Sequence, residues 1–388
     1  MYKELNRDED LLKIASEVGV MRPPKTKLQS YSSTFDVLPF IENKQYGYDR
    51  IVQLMSLSML QNHHANGGPV SRLLEAMVAH LINLPDSRRV IAVSSGTAAL
   101  HLACGYVSLK STKQHFKWVT SAFNFFSAKV GPLVDSIVID CNENGRFDFD
   151  RLESLPLDSY DGIIYTNIFA QHSDWKDVAD FCKRYDKTFV VDNATGLFDR
   201  TTATMDQDSA MEIISAHHTK PWGVGEGGFL ICDETDELEL RKLVNFGAGL
   251  AESFKTAGNN YKISDLSCAA IIDRLEKMPS WMPIYKEQAK RASKLLHSSC
   301  DGIIEFKGST IPVSPRAHTP FLAPTPIDIS AVSGNITLRK YYLPLRSDMD
   351  TANAQNIYDR IFSVSNAPEM QQITDEQIIA QILPFLQL

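Results

Sequence analysis

The stretch MEIISAHHTKPWGVGEGGFLICD, residues 211–233, places a lysine between two apolar strands. MEIISAH (211–217) and GGFLICD (227–233) are short apolar runs of strand length. Between them Ser215-Ala216-His217-His218-Thr219-Lys220 forms a turn rich in hydroxyl and imidazole groups, and Gly223-Val224-Gly225-Glu226-Gly227-Gly228 leads into the second strand. A lysine becomes a useful amine nucleophile when it is desolvated or close to other cations. Neighbouring glycines let a flat ligand approach the backbone. A lone lysine in a turn is otherwise an ordinary surface residue, so the segments upstream decide its meaning.

Two of them matter. Val190-Val191-Asp192-Asn193-Ala194 ends a fully apolar strand in an acid. A buried carboxylate needs a partner, which can be a protonated ring nitrogen of a cofactor, a helix end or an arginine. Further upstream, Ser94-Ser95-Gly96-Thr97-Ala98-Ala99 joins a strand to a helix. The free N–H groups and dipole of a first helical turn favour a phosphate, and Thr97 adds a hydroxyl donor. The same residues also make an ordinary N-cap.

The surrounding pattern alternates. PVSRLLEAMVAHLINL has helical spacing, RVIAVSS reads as a strand and GTAALHLACGYVSL as a helix. HFKWVTSAF, DSIVIDC, GIIYTNIF and TFVVDNA are further strand candidates, with a helix over about 174–185. Alternating strands and helices predict an α/β fold with a mixed, mostly parallel sheet. Ligands then sit beyond the carboxyl ends of the strands. A long helical region spans about 265–296 with a break near Pro279–Pro283, and a last helix starts near Thr374. The division expected is an N-terminal helix and arm over 1–50, a large domain over 51–245 and a smaller α+β domain over 246–388.

Composition narrows the classes. The chain has 388 residues, 44% hydrophobic and 22% charged, with a net charge of −8. That profile is globular. Basic runs interleaved with aromatics are absent, which argues against nucleic acid. No apolar run approaches the roughly 20 residues that cross a bilayer, and the charged first 20 residues do not read as a secretory signal; the expectation is a cytoplasmic protein. The six cysteines are dispersed without a CxxC pair, so neither a metal site nor a disulfide framework is expected.

The order SGTAAL, VVDNA, then SAHHTK…GEGG resembles the DegT/DnrJ/EryC/StrS sugar aminotransferases, as do NGGPVSRLLE, AGNNYKISDLSCAAIIDRLEKMP and RKYYLPL elsewhere in the chain. The resemblance implies an aspartate aminotransferase-like fold (fold type I) and pyridoxal 5′-phosphate as cofactor. It implies that Lys220 is the Schiff-base lysine and proton shuttle and that Asp192 partners the pyridinium nitrogen. Ser95, Gly96, Thr97 and Ser215 would hold the phosphate, and Thr195 and His217 would face the cofactor. Asn260 would reach the phosphate of the neighbouring subunit's cofactor, giving a homodimer with shared sites. The family's ring-stacking aromatic falls on Asn124, so either the register shifts to Phe123 or Phe125, or a polar side chain covers the ring. Thr195 stands where the family carries glutamine or histidine, and Asn167 where histidine is common. His318, Lys340 and Tyr342, with Arg339, are candidates for the sugar. The implied reaction moves an amino group from L-glutamate to a nucleotide-linked keto sugar, favoured as a dTDP-4-keto-6-deoxyhexose of the kind used in polysaccharide and O-antigen biosynthesis. A 3-aminotransferase, a pyridoxal lyase or aldolase, and a non-catalytic cofactor-binding regulator are the alternatives.

Overall fold

The computed structural model describes residues 37–113, 115–199, 210–299, 302–308, 312–331, 334–346 and 349–385. Residues 1–36 of the helix and arm expected over 1–50, and Cys300, lie outside these residues. Residues 37–388 form one compact unit.

An extended segment leads into helices α1 (Tyr48–Gln61) and α2 (Pro69–Leu81). Pro69 opens α2 at a position where its missing N–H costs nothing. Strand β1 (Arg88–Val93) and helix α3 (Gly96–Lys110) follow, then β2 (Trp118–Ser121), β3 (Ile137–Ile139), α4 (Phe149–Glu153), β4 (Gly162–Thr166), α5 (Lys176–Tyr185), β5 (Thr188–Asp192), β6 (Met211–Ser215) and β7 (Gly228–Asp233). The seven strands form one sheet in the order β1-β7-β6-β5-β4-β2-β3. Strand β7 runs antiparallel to both its neighbours and the remaining pairs are parallel. β1 and β6 therefore point the same way, and the turns after β1, β5 and β6 meet at one edge.

The two-residue period of the strands builds two cores. Ile91, Val93, Ile213 and Leu230 face α3, whereas Val90, Ala92, Ile214 and Phe229 face α1 and α2. Helix α6 (Glu237–Val244) joins the α3 side, and α7 (Asp265–Glu276) packs against α1 and α2. The expected long helix is broken at Lys277 into α7 and α8 (Met278–Ser299). Pro283 lies inside α8, where the ring cannot donate the usual hydrogen bond. A three-stranded antiparallel sheet, β8 (Ile304–Glu305), β9 (His318–Leu322) and β10 (Ile361–Ser365), follows in the order β10-β9-β8, with α9 (Ala352–Arg360) entering β10. The last helix, α10 (Asp375–Ile382), starts from a capping box of Thr374 and Gln377. No helix among the described residues is long and apolar enough to cross a membrane.

Candidate active site

A cavity of about 440 Å³ opens where the strand ends meet. It gathers Ser95, Gly96, Thr97, Asp192, Thr195, Ser215, His217, Lys220, His318 and Tyr342 from the sequence candidates.

The turn after β1 is pinned on three sides. Ser94 N–H donates to Tyr261 O at 2.8 Å, and the Ser95 hydroxyl accepts from Ala98 N–H at 3.0 Å. The first turn of α3 holds no acid, so the dipole and the Gly96 and Thr97 N–H groups, which the Ser95 cap leaves free, stay available to an anion. Gly96 is packed beneath Ser215: a Cβ on it would stand 3.0 Å from Ser215 Cβ. At Gly228 a Cβ would fall 2.4 Å from Ser95 C and 2.6 Å from Gly96 N, both backbone atoms that cannot swing aside. Gly228→Ala is therefore expected to lower stability by about 1–3 kcal/mol and to weaken binding of a phosphate ligand at this turn. Denaturant midpoints and ligand titration check it; two unchanged values would mean that β7 does not press on the turn.

Asp192 closes β5 and is 4% exposed. It accepts a hydrogen bond from Ala194 N–H at 3.1 Å. Burial pushes its pKa up to about 6, against the pull of that hydrogen bond and of the Lys220 charge. Behind it, Asn167 N–H donates to Asp192 O at 2.9 Å, and the Asn167 amide continues to Asn193 Oδ1 at 2.8 Å.

Lys220 sits in a turn whose carbonyls are held by cations. Lys44 Nζ donates to His218 O at 2.6 Å, Lys220 O at 2.5 Å and Gly223 O at 2.7 Å. Arg274 Nε donates to Pro221 O at 2.8 Å, and the Arg274 guanidinium pairs with Glu42. Trp222 Nε1 donates to Ser215 O at 2.8 Å, tying the turn to β6. The Lys220 amine itself is left for the cavity. Burial lowers its pKa to about 8, with Asp192 opposing, so a fair fraction is free amine near neutral pH. Lys44 is lowered to about 7, by burial first and then by the Arg274 charge. Nothing in residue pattern marks Lys44, which belongs to a loosely patterned segment. Arg274 was detectable in principle, as a charge on the apolar stretch Ile271-Ile272-Asp273-Arg274-Leu275.

Other candidates stand elsewhere. Phe123 is fully buried among Phe169, Phe306 and Tyr342 and does not line the cavity. The Asn124 amide is used locally: its Nδ2 donates to Thr120 Oγ1 at 2.8 Å and its Oδ1 accepts from Phe125 N–H at 2.6 Å. The Phe, Tyr and Trp residues that do reach the cavity are Phe125, Phe169, Trp222, Tyr341 and Tyr342. Phe169, with φ of 53°, was not singled out by sequence; its ring centroid lies 5.0 Å from that of Tyr342. Asn260 is exposed and outside the cavity. Lys340 also lies outside it, with Nζ donating to Asp359 O at 2.6 Å. His217 lines the cavity, its Nδ1 2.9 Å from Thr219 Oγ1, and burial lowers its pKa. Among the described residues no group of three His, Cys, Asp or Glu is placed to hold a metal.

Polar atoms without partners converge on the same space. Thr166 Oγ1, Thr195 Oγ1 and His318 Nδ1 are buried, lack a hydrogen-bond partner and belong to cavity-lining residues. Buried polar groups are normally satisfied, so three orphans on one cavity indicate room for a polar ligand. A flat phosphorylated pyridine fits this set: first-turn N–H groups for the phosphate, a buried acid for the ring nitrogen and a desolvated amine for its carbonyl carbon.

Comparison with known proteins agrees. Protein Rv3402c of Mycobacterium tuberculosis is 28% identical over 262 residues, which cover 63% of this chain and 61% of that relative, so the match spans less than two thirds of its length. The dTDP-4-amino-4,6-dideoxy-D-glucose transaminase of Shigella dysenteriae is 20% identical over 370 residues, 86% of this chain and 95% of that protein. The structure of Helicobacter pylori PseC, an aminotransferase involved in the biosynthesis of pseudoaminic acid, aligns with a TM-score of 0.71 at 15% identity, covering 89% of this chain and 99% of that chain. At that identity the likeness establishes the fold, which is that of the pyridoxal phosphate aminotransferases. With the family model matching residues 49–383, the chain belongs to the DegT/DnrJ/EryC1/StrS aminotransferase family.

Proposed function

We propose that the protein binds pyridoxal 5′-phosphate in this cavity and moves an amino group from L-glutamate to a nucleotide-linked keto sugar. The observation that carries the reading is the convergence of a buried acid, a desolvated lysine and an open helix start on one cavity. Gly96, Thr97 and Ser215 bind the phosphate, and Asp192 holds a proton on the ring nitrogen. When bound, the cofactor supplies an electron sink for the pair left behind as a substrate C–H bond breaks. Lys220 Nζ would remove the proton from the substrate carbon and return it to the carbon on the other side of the transferred nitrogen. Lowering the amine from 10.5 to about 8 brings the free-base form within reach near neutral pH, which proton transfer in both directions requires. Lys44 and Arg274 fix the turn so that Nζ is presented in one place. Phe125, Phe169 and Tyr342 exclude water from part of the cavity wall.

The acceptor favoured is a dTDP-linked 4-keto-6-deoxyhexose, supported by the name of the Shigella relative, which spans nearly its whole length in the alignment. A homodimer with Asn260 reaching the neighbouring site is part of the same reading, and its exposed position leaves it available for that.

Incubation of the protein with pyridoxal phosphate, L-glutamate and a panel of nucleotide 3-keto and 4-keto sugars tests the proposal. The expected outcome is an amino sugar formed in step with 2-oxoglutarate, with 4-keto acceptors preferred. Release of 2-oxoglutarate with no aminated sugar, or carbon–carbon cleavage of an amino acid substrate, would overturn it.

A further inference from the structure

The turn after β5 carries a second buried acid, Asp199, which the proton transfers above leave unused. It is 2% exposed. Its N–H donates to Gly196 O at 3.1 Å. Asn193 Nδ2 donates to the same carbonyl and to Glu212 Oε1, both at 2.8 Å, so the turn is braced against β6. The Asp199 carboxylate reaches across to the segment that leads into β9. Its Oδ1 accepts from Val313 N–H, and its Oδ2 accepts from Ser314 N–H at 3.1 Å. The Ser314 hydroxyl accepts in return from Phe198 N–H at 2.8 Å. Burial raises the Asp199 pKa, against those hydrogen bonds and the charge of Lys286. A desolvated carboxylate is costly to keep, and this one spends both oxygens on main-chain N–H groups. Directly after Ser314 come Pro315, Arg316 and Ala317, which line the cavity, whereas Phe198, Asp199, Val313 and Ser314 do not. The proline ring fixes its own φ and restricts the residue before it, so an anchor at Ser314 sets where the next residues run. At the far end, just past β10, Asn366 N–H donates to Ala317 O and Asn366 Nδ2 to Arg316 O, both at 3.0 Å. This stretch of wall is thus strung between an acid beside the large sheet and an asparagine beside the small one.

We propose that Asp199 is a positioning residue: by holding the backbone of Val313 and Ser314 it sets the wall over 315–317, and with it the affinity for both substrates, without touching either. The inference rests on the aminotransferase reading of the cavity, in which two substrates occupy one space in turn. Both meet this wall, so a loosened wall weakens both before any bond changes. Binding lost equally from the ground and transition states raises KM and leaves kcat alone. Asp192 and Lys220 keep their own supports, Ala194 N–H for the acid and Lys44 and Arg274 for the turn of the lysine.

Three variants grade the tether. Asp199→Ala removes both acceptor oxygens, Asp199→Asn keeps one and turns an amide nitrogen toward a main-chain N–H, and Ser314→Ala removes only the return bond. In the pyridoxal phosphate-loaded protein, hydrogen–deuterium exchange of the peptide over 312–318 should quicken in all three, most in Asp199→Ala. Well below each melting temperature, KM for glutamate and for the keto sugar should rise on the order of tenfold in Asp199→Ala. The rise should be smaller in Asp199→Asn, with kcat held in both. Calorimetric binding of 2-oxoglutarate should weaken in step with KM. Faster exchange with unchanged KM and unchanged 2-oxoglutarate binding would overturn the proposal and leave Asp199 a purely structural acid. So would unchanged exchange, or a fall in kcat alone. If Asp199→Ala does not fold, Asp199→Asn and Ser314→Ala decide by the same readouts. If the unaltered protein formed no amino sugar, the aminotransferase reading would fail, while exchange and 2-oxoglutarate binding would still judge the tether.

Discussion

Lys220→Ala is expected to lower amino transfer by at least about a thousandfold, since one side chain serves both as the covalent anchor of the cofactor and as the base that moves the proton. The loss should fall on the chemistry and leave the fold alone. The Lys220 backbone N–H donates to His217 O at 2.8 Å and its carbonyl receives Lys44 Nζ and Gly223 N–H, all of which survive truncation. A folded-state pKa lowered from 10.5 to about 8 means that the folded protein binds fewer protons at this site than the unfolded chain between those values. Its stability accordingly rises with pH across that window, and below about 8 the protonated amine costs the fold free energy. The alanine variant should therefore melt no lower than the unaltered protein at pH 7, and the comparison should turn against it as pH climbs toward 10.5. Steady-state rates with glutamate, together with melting curves at pH 7 and pH 10, check both halves.

Asp192→Asn is expected to be the second large loss, about 10²- to 10³-fold in rate, because an amide cannot keep a proton on the ring nitrogen. Its effect on stability should have the opposite sign. The Asp192 pKa is raised by burial from 3.8 to about 6, so the folded protein binds more protons than the unfolded chain between those values. Stability at this site is present below pH 4, falls as pH rises through 6 and stays reduced at pH 7. Asparagine keeps an acceptor for Ala194 N–H and carries no charge, so the cofactor-free variant should be more stable at pH 7 by up to about 3 kcal/mol. The gain should disappear near pH 3.5. A variant both slow and destabilised at pH 7 would mean that the carboxylate is a structural partner and not a strained functional group.

Much of this site was legible in the chain because its parts lie at strand ends. Each of the seven sheet strands is a short apolar run, and Ser95, Gly96, Asp192 and Ser215 stand at or just after the ends of three of them. Burial of both sheet faces forces that apolar pattern, and topology then brings the ends together. What supports Lys220 was not legible. Lys44 acts on three carbonyl oxygens, and main-chain acceptors leave no trace in residue identity. The choice between Phe123 and Phe125 stayed open for a related reason. The segment Phe123-Asn124-Phe125 offers two rings one strand period apart, and only packing against Phe306 and Tyr342 turns Phe123 inward. Lys340 illustrates the same limit, since a carbonyl of Asp359, distant in sequence, captures its amine.

On the proposed function, Lys220 is the amine that bonds to the cofactor. Borohydride reduction of the pyridoxal phosphate-loaded protein, followed by proteolysis and mass spectrometry, tests it directly. One phosphopyridoxyl group is expected on the peptide carrying Lys220, and neither that adduct nor the visible absorbance in Lys220→Ala. A phosphopyridoxyl group on Lys44 or any other lysine, or colour and a reducible linkage that survive Lys220→Ala, would contradict it.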